Sequence, residues 1–411
     1  MNLASRAKIS YILSHGLFWC TYCISWSYTA CFLTSKGYNS FTVGLVTGLG
    51  AITSVILQPV TAALAGKIPF LTDKRNAIIL KIISLVTAVL IMAGFPGSLS
   101  IAVLFTVLTA IDASIPSILS TLATSYINSG RYLNYGAARG CGSLTYSVFS
   151  LALGIMVSHA GTDILMILYI FFGVLCILAI AAFPANVSET DNNSVSDNPV
   201  NPSGSRERTG FFARYPYLYS FFAASILLYI GHNIYNIFLI NIVNRAGGDS
   251  VNLGTALAIS ACVELPVMAY FVRLENKIPV EKLMIISSII FTLKAFSAIF
   301  ATSVPAVYVV SFMQIGAFAI FTPGSVYFIC KHLSPSDNSL GQALLGSCTL
   351  GLGGTLGNIL GGFIIDRTGI TAALVVAAIL SAFGAILIAA SMKTCMQPHK
   401  TTWYIKTCNL H

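Results

Sequence analysis

Long apolar runs alternate with short polar breaks along the chain. Cutting it at the charge and turn clusters leaves twelve apolar stretches: 10–33, 42–65, 77–95, 99–126, 135–158, 163–183, 217–243, 252–273, 283–302, 304–330, 340–365 and 371–392. A helix that crosses a bilayer needs about 20 mainly apolar residues. Backbone amides in lipid must be satisfied within the spanning segment, so these stretches predict α-helices. A β-barrel would show short segments of alternating polarity instead. The expected fold class is an all-α membrane protein of 12 transmembrane helices.

Composition agrees. Charged residues are 9% of the 411, against about 25% in an ordinary soluble domain. Mean hydropathy is +0.83. So few charges cannot solvate a soluble surface of this size, which excludes a cytosolic enzyme and a secreted globular domain. The net charge of +9 points at first to nucleic acid, but the basic residues are sorted by loop. With the N-terminus placed inside, Arg6, Lys8, Lys67, Lys74, Arg75, Lys81, Arg131, Arg206, Arg208, Arg214, Arg273, Lys277, Lys282, Lys331, Lys393, Lys400 and Lys406 fall on the cytoplasmic side. Only Lys36, Arg245 and Arg367 fall outside. This is the positive-inside pattern of a multi-pass cell-membrane protein with both termini cytoplasmic, and no nucleic-acid partner is expected. The first stretch is too long for a signal-peptide core, and no small-residue cleavage site follows it. Cys20 and Cys23 form a C-x-x-C inside that stretch, without a second pair, and read as structural thiols. No Walker motif is present, so ATP hydrolysis is not expected.

The polar segment 185–215, rich in Asn, Ser, Asp and Pro, reads as a cytoplasmic linker between an N-terminal half (1–184) and a C-terminal half (216–392), with a cytoplasmic tail at 393–411. The N-x-S matches at Asn186 and Asn192 would then face the cytoplasm, where they are not glycosylated. Pro59 and Pro266 are 207 residues apart, as are Pro116 and Pro323; Pro96 and Pro305 differ by 209, and Gly136 and Gly341 by 205. A common offset with common orientation implies two parallel six-helix repeats. Gly353, Gly357 and Gly361 put small residues on one helix face, expected to allow close packing where the halves meet.

Four charges are assigned to the spans: Asp112, Arg139, Glu264 and Lys294. Each costs about 2.5 kcal/mol or more at the bilayer centre and is a functional-site candidate by default, against the alternative of a structural ion pair. Desolvation favours a protonated carboxylate, and an approaching cation favours its ionised form. Glu264 and Lys294, on neighbouring helices of one half, can therefore form a proton-coupling pair. Arg139 supplies a forked donor suited to a carboxylate or paired hydroxyls. Tyr146, two turns along the same face, can stack on a sugar or ring. His232, in the polar run GHNIYN (231–236), is a candidate cavity residue, and His15 a weaker one. Trp19, Tyr22, Trp26 and Tyr28 crowd the first stretch.

These residues carry a resemblance. ILQPVTAALAGK (56–67), NYGAARGCGSLTY (134–146), VELPV (263–267), LKAFSAIFATS (293–303) and GQALLG…LGGTLGNILGGFIIDRTG (341–369) together resemble major facilitator transporters of the lactose permease-like group, which includes oligosaccharide, nucleoside and phenylpropionate proton symporters. The resemblance covers nearly the whole chain. It implies substrate binding by Arg139 and a stacking role for Tyr146, an essential Glu at Glu264, and a coupling cation at Lys294 in place of the usual Arg. There are departures. The family's sugar-binding Glu is Leu119 here, with Asp112 seven residues earlier as the candidate substitute. The tenth-helix His is Gln314, and the Glu that follows it is Ala317.

The resulting expectation is a proton-coupled symporter of a small polar solute, with a sugar or glycoside first, working by alternating access as a monomer. Arg139, Tyr146 and Asp112 would bind substrate, and Glu264, Lys294 and His232 would couple the proton. No cofactor is expected beyond the proton gradient, and no metal. The alternatives are a proton-antiport exporter of drugs or metabolites and a non-transporting solute sensor.

Overall fold

A computed structural model of the chain describes residues 3–68, 70–94, 98–131, 133, 135–184 and 211–396. Among the described residues every regular element is helical. In chain order the elements are α1 (Leu3–Tyr22, continued through a π turn at Cys23–Ser27 into Thr29–Ser35), α2 (Ser40–Lys67), α3 (Asp73–Met92), α4 (Ser98–Asn128), α5 (Tyr135–Ala160) and α6 (Ile164–Ala182). After the short turn Phe211–Arg214 follow α7 (Tyr217–Ile237, bent by 57° into Leu239–Arg245), α8 (Ser250–Glu275) and α9 (Val280–Ile299). The last are α10 (Val304–Phe312, a 3₁₀ turn at Met313–Ile315, then Phe318–His332), α11 (Pro335–Gly346, a π turn at Ser347–Gly353, then Gly354–Thr368) and α12 (Ile370–Met396). The 185–210 part of the expected linker, the 397–411 part of the expected tail, Asn186, Asn192 and Pro96 lie outside the described residues.

Ten of these helices are each long and apolar enough to cross a membrane, and the bent α7 makes an eleventh. The expected count of twelve is therefore not reached by length and composition alone. The missing one is α1, where Arg6, Lys8 and a run of Ser, His, Thr and Tyr dilute the apolar residues.

Each of α1–α6 packs against others of that set, as do α7–α12. The internal repeat is visible in the backbone. Tyr28 and Phe238 interrupt α1 and α7 at equivalent points, each followed by a seven-residue helical piece. Gly37 and Gly247 then turn the chain at φ 86° and 77°, a conformation that favours glycine. Asn39 and Asp249 cap the next helices through side-chain oxygens. The prolines paired in sequence sit inside paired helices, Pro59 with Pro266 in α2 and α8, Pro116 with Pro323 in α4 and α10.

The two sets meet at one end of the bundle, distal to the described termini. There the Asp366 carboxylate of α11 accepts hydrogen bonds from the amides of Ser40 (2.8 Å) and Phe41 (2.7 Å) at the start of α2. A Cβ on Gly44 would lie 2.2 Å from the Asn358 carbonyl oxygen, and one on Gly362 would lie 2.1 Å from that of Ser40. On the other side, α5 and α8 touch through Gly154 against Ser250 and Gly254 against Ser150. Ser147, Ser150 and Ser250 donate hydrogen bonds to the carbonyls of Ala258, Gly254 and Gly154. Toward the proximal end α2 from Ile56 and α8 from Pro266 run largely exposed. The contacts described between the two sets are thus concentrated toward the distal end.

The glycine stripe of α11 lies elsewhere than expected. Gly353, Gly357 and Gly361 pack on α7, against Tyr229, Ile230 and Phe238. The face that meets α2 carries Asn358 and Gly362. On the α2 side of that contact the small residues are Gly44 and Gly48.

Candidate functional site

Proximal to those distal contacts, α1, α5, α7, α8, α9 and α10 bring most of the sequence candidates together. On α5, Arg139 is exposed, and Tyr146 is half-buried two turns further on. The Tyr146 hydroxyl hydrogen-bonds to Ser27 in the π turn of α1. Gly142 allows that approach, since a Cβ there would lie 2.3 Å from the Trp19 indole. Trp19, Tyr22 and Trp26, spaced by three and four residues, form one half-buried face of α1. Trp19 meets Tyr146 edge-on with centroids 6.1 Å apart, and Tyr22 stacks on Trp26 at 5.8 Å. Arg139 and Tyr146 thus share α5 with an aromatic face of α1 packed against the second of them.

The facing helices carry the acid–base groups. Glu264 on α8 is half-buried, and Lys294 on α9 is 3% exposed. They do not touch. The Gln314 amide, on the 3₁₀ turn that breaks α10, stands between them. Its Nε2 donates to Glu264 Oε1 at 2.9 Å, and its Oε1 accepts from Lys294 Nζ. The amide orientation is forced, because an ammonium only donates and a carboxylate only accepts. Lys294 Nζ also stands 4.3 Å from the centroid of the Tyr235 ring. Arg139 lies within electrostatic reach of both Glu264 and His15. Gln314 appears in the sequence only as the loss of a histidine; in the structure it is the bridge.

His232 on α7 stacks on Phe318 with centroids 5.0 Å apart and pairs through Nε2 with the Asn236 amide at 2.8 Å. With Gly231, Tyr235, Phe291, Lys294 and Ala295 it lines a small cavity with room for about one water. His232 is thus beside Lys294 but not hydrogen-bonded to it.

Asp112 departs from the expectation. It is 0% exposed and does not open to the cavity. Its carboxylate accepts from Lys81 Nζ (2.9 Å), Ser25 Oγ (2.7 Å) and the Tyr169 hydroxyl (2.9 Å). Lys81, placed above among the loop cations, is 0% exposed in the middle of α3 and also donates to Thr21. Lys81 therefore joins the four charges assigned to the spans, and it forms a closed ion pair with one of them, Asp112. The available signal was position: Lys81 falls inside the apolar stretch 77–95. A lone Lys near the start of a helix reads as a loop cation until its partner on the next helix is known.

The MFS_1-like family model matches residues 8–376. The maltose permease of Geobacillus stearothermophilus is 24% identical over 332 residues, 79% of each chain. The crystal structure of the nucleoside transporter NupG superposes with a TM-score of 0.73 at 18% identity, covering 97% of this chain and 100% of that one. The peptide transporter POT, in a complex with sulfate, superposes with a TM-score of 0.70 at 11% identity, covering 95% and 96%. An all-helical bundle with an internal repeat, matched over nine-tenths of its length by the family model, leaves one assignment: the chain belongs to the MFS_1-like family and is a membrane transporter of the major facilitator type.

Proposed function

We propose that the protein is a proton-coupled symporter of a small polar solute, a sugar or glycoside, working by alternating access between two six-helix halves, 1–184 and 216–392. The observation that carries this reading is the Glu264–Gln314–Lys294 chain facing Arg139 and Tyr146. A carboxylate, an amide spacer and a cation on three helices of one half form a unit whose charge state depends on how those helices sit. The groups opposite suit a hydroxylated ring. The relation to a maltose permease makes maltose the first substrate to try.

The cycle follows from the contacts. With both termini in the cytoplasm, the proximal opening faces inward and the distal contacts form the outer gate. Turning outward breaks the Asp366 hydrogen bonds and the α5–α8 contacts, and closes the splayed ends of α2, α5, α8 and α11. Glu264 takes a proton with substrate from outside. It releases the proton inward when Lys294 displaces the Gln314 amide and pairs with it directly. Asp112 is left out of substrate binding, and His232 stays beside the cation as an uncharged neighbour. The transporter acts as a monomer in the cell membrane and draws on the proton gradient without a bound cofactor.

Purified protein in vesicles under an imposed pH gradient tests the reading. Acid outside is expected to drive maltose inward above its equilibrium level. Expulsion of maltose or of a hydrophobic cation under the same gradient would favour antiport instead. Binding without movement of any solute would favour a sensor.

A further inference from the structure

The ion pair Lys81–Asp112 is sealed inside α1, α3, α4 and α6, with side-chain exposures of 0% and 1%. It cannot touch a substrate. Both of its charged groups nevertheless have further polar partners: Thr21 and Tyr169 on the ammonium, Ser25 and Tyr169 on the carboxylate. Two of those partners lie on α1. Thr21 stands just before the π turn Cys23–Ser27, and Ser25 stands inside it.

A π turn inserts one residue into the helical register, and such turns are rare and concentrated at functional sites. With 3.6 residues per turn, adding or removing one residue rotates everything beyond it by about 100°. The direction of Trp26, Ser27 and Tyr28 therefore depends on the turn being held. The turn is pinned from outside at Ser25 and Ser27, and at Tyr28 just after it. Ser25 donates to Asp112, Ser27 pairs with the Tyr146 hydroxyl, and Tyr28 donates to the Ser150 carbonyl at 2.9 Å. Just beyond it, Thr29 donates to the Ser25 carbonyl at 2.6 Å. The stacked pair Tyr22–Trp26 spans the turn.

We propose that Lys81 and Asp112 are positioning residues: acting through Ser25 they hold the π turn of α1, and so set where Trp26 and Tyr146 stand toward the substrate. A buried ion pair that adds little stability over apolar residues has its best-attested use in fixing one register. The consequence for uptake rests on the sugar reading above; the effect on the turn does not.

Three tryptophans occur in the chain, and two of them, Trp19 and Trp26, flank or occupy the turn. With Trp403→Phe as background, fluorescence reports this face of α1 without any substrate. Ser25→Ala cuts the link and leaves Lys81, Asp112 and Tyr169 paired. The double variant Lys81→Met with Asp112→Leu removes both charges together. In each, acrylamide quenching of the folded protein is expected to rise about twofold, and KM for maltose on the order of tenfold with kcat kept. Ser25→Thr, which keeps the hydroxyl, should restore both. Quenching unchanged in both variants, whatever the melting temperature, would mark a purely structural pair and overturns the proposal. Altered quenching with an unchanged maltose KM upholds the positioning role and contradicts instead the placing of sugar at this face.

Discussion

Lys81 Nζ lies 2.9 Å from Asp112 Oδ1 in a space that no part of either side chain shares with solvent beyond 1%. Two helices that the hydropathy pattern treats as independent spans are joined there by full charges. Removing one partner leaves the other buried and unpaired, at about 3–5 kcal/mol, whereas replacing both by apolar residues of similar volume is close to neutral. Lys81→Met alone is therefore expected to yield little monodisperse protein on size-exclusion chromatography, and Lys81→Met with Asp112→Leu to recover it. Equal losses in the single and double variants would show that the pair is not a closed unit.

The distal closure makes a second prediction. Asp366 accepts two backbone hydrogen bonds at the start of α2, where unpaired amides and the helix dipole favour a negative charge. An interaction of this kind contributes about 1 kcal/mol. Asp366→Ala should shift the balance of closed to open distal ends about fivefold toward open, in line with that energy. Spin labels at Lys36 and Arg367, one on each side of this closure, would report it as a longer-distance population in double electron–electron resonance.

Steric contact at the same end makes a stronger case. A Cβ at Gly44 meets the Asn358 carbonyl oxygen at 2.2 Å, and one at Gly254 meets that of Ser150 at 2.3 Å. Backbone cannot yield as a flexible side chain does. Gly44→Ala with Gly254→Ala should hold the distal end apart, lengthening the Lys36–Arg367 distance further than Asp366→Ala does while the protein stays folded. An unchanged distance distribution would mean that the distal contacts are not the gate.

Gln314 supplies a prediction on the coupling chain. Gln314→Leu removes the side-chain acceptor of Lys294 and the donor to Glu264 together. A buried donor left without its acceptor costs about 1–3 kcal/mol, so the melting temperature should fall. Adding Lys294→Met should recover most of it, because the stranded cation is then gone. No recovery would place the loss in the 3₁₀ turn itself and not in the charge.

Most of the spans, the repeat and the placing of Glu264 near Lys294 were legible because each rests on a one-dimensional signal: run length, a shared offset, or a charge where lipid excludes one. Boundaries read from hydropathy fall close to those observed, as at 42–65 against Ser40–Lys67. What was not legible depends on pairing between helices. Lys81 reads as a loop cation until Asp112 is seen beside it. Gln314 reads as a deletion of chemistry until it is found between two charges. The stripe Gly353–Gly357–Gly361 shows that some helix approaches closely, but α7 rather than α2 is a fact of azimuth that spacing does not carry. The breaks in α1, α10 and α11 likewise leave no mark on hydropathy, since a π or 3₁₀ turn keeps the same apolar composition.

The account stands most directly on Glu264, a carboxylate with a cation one amide away. In vesicles holding the Glu264→Gln protein, maltose counterflow and maltose accumulation under an imposed pH gradient can be measured side by side. Counterflow needs only the alternation of the two faces, and accumulation needs the proton. The expected result is counterflow near that of the unaltered protein with accumulation abolished. Accumulation that persists in the variant with the same dependence on pH would contradict the assignment of proton coupling to Glu264.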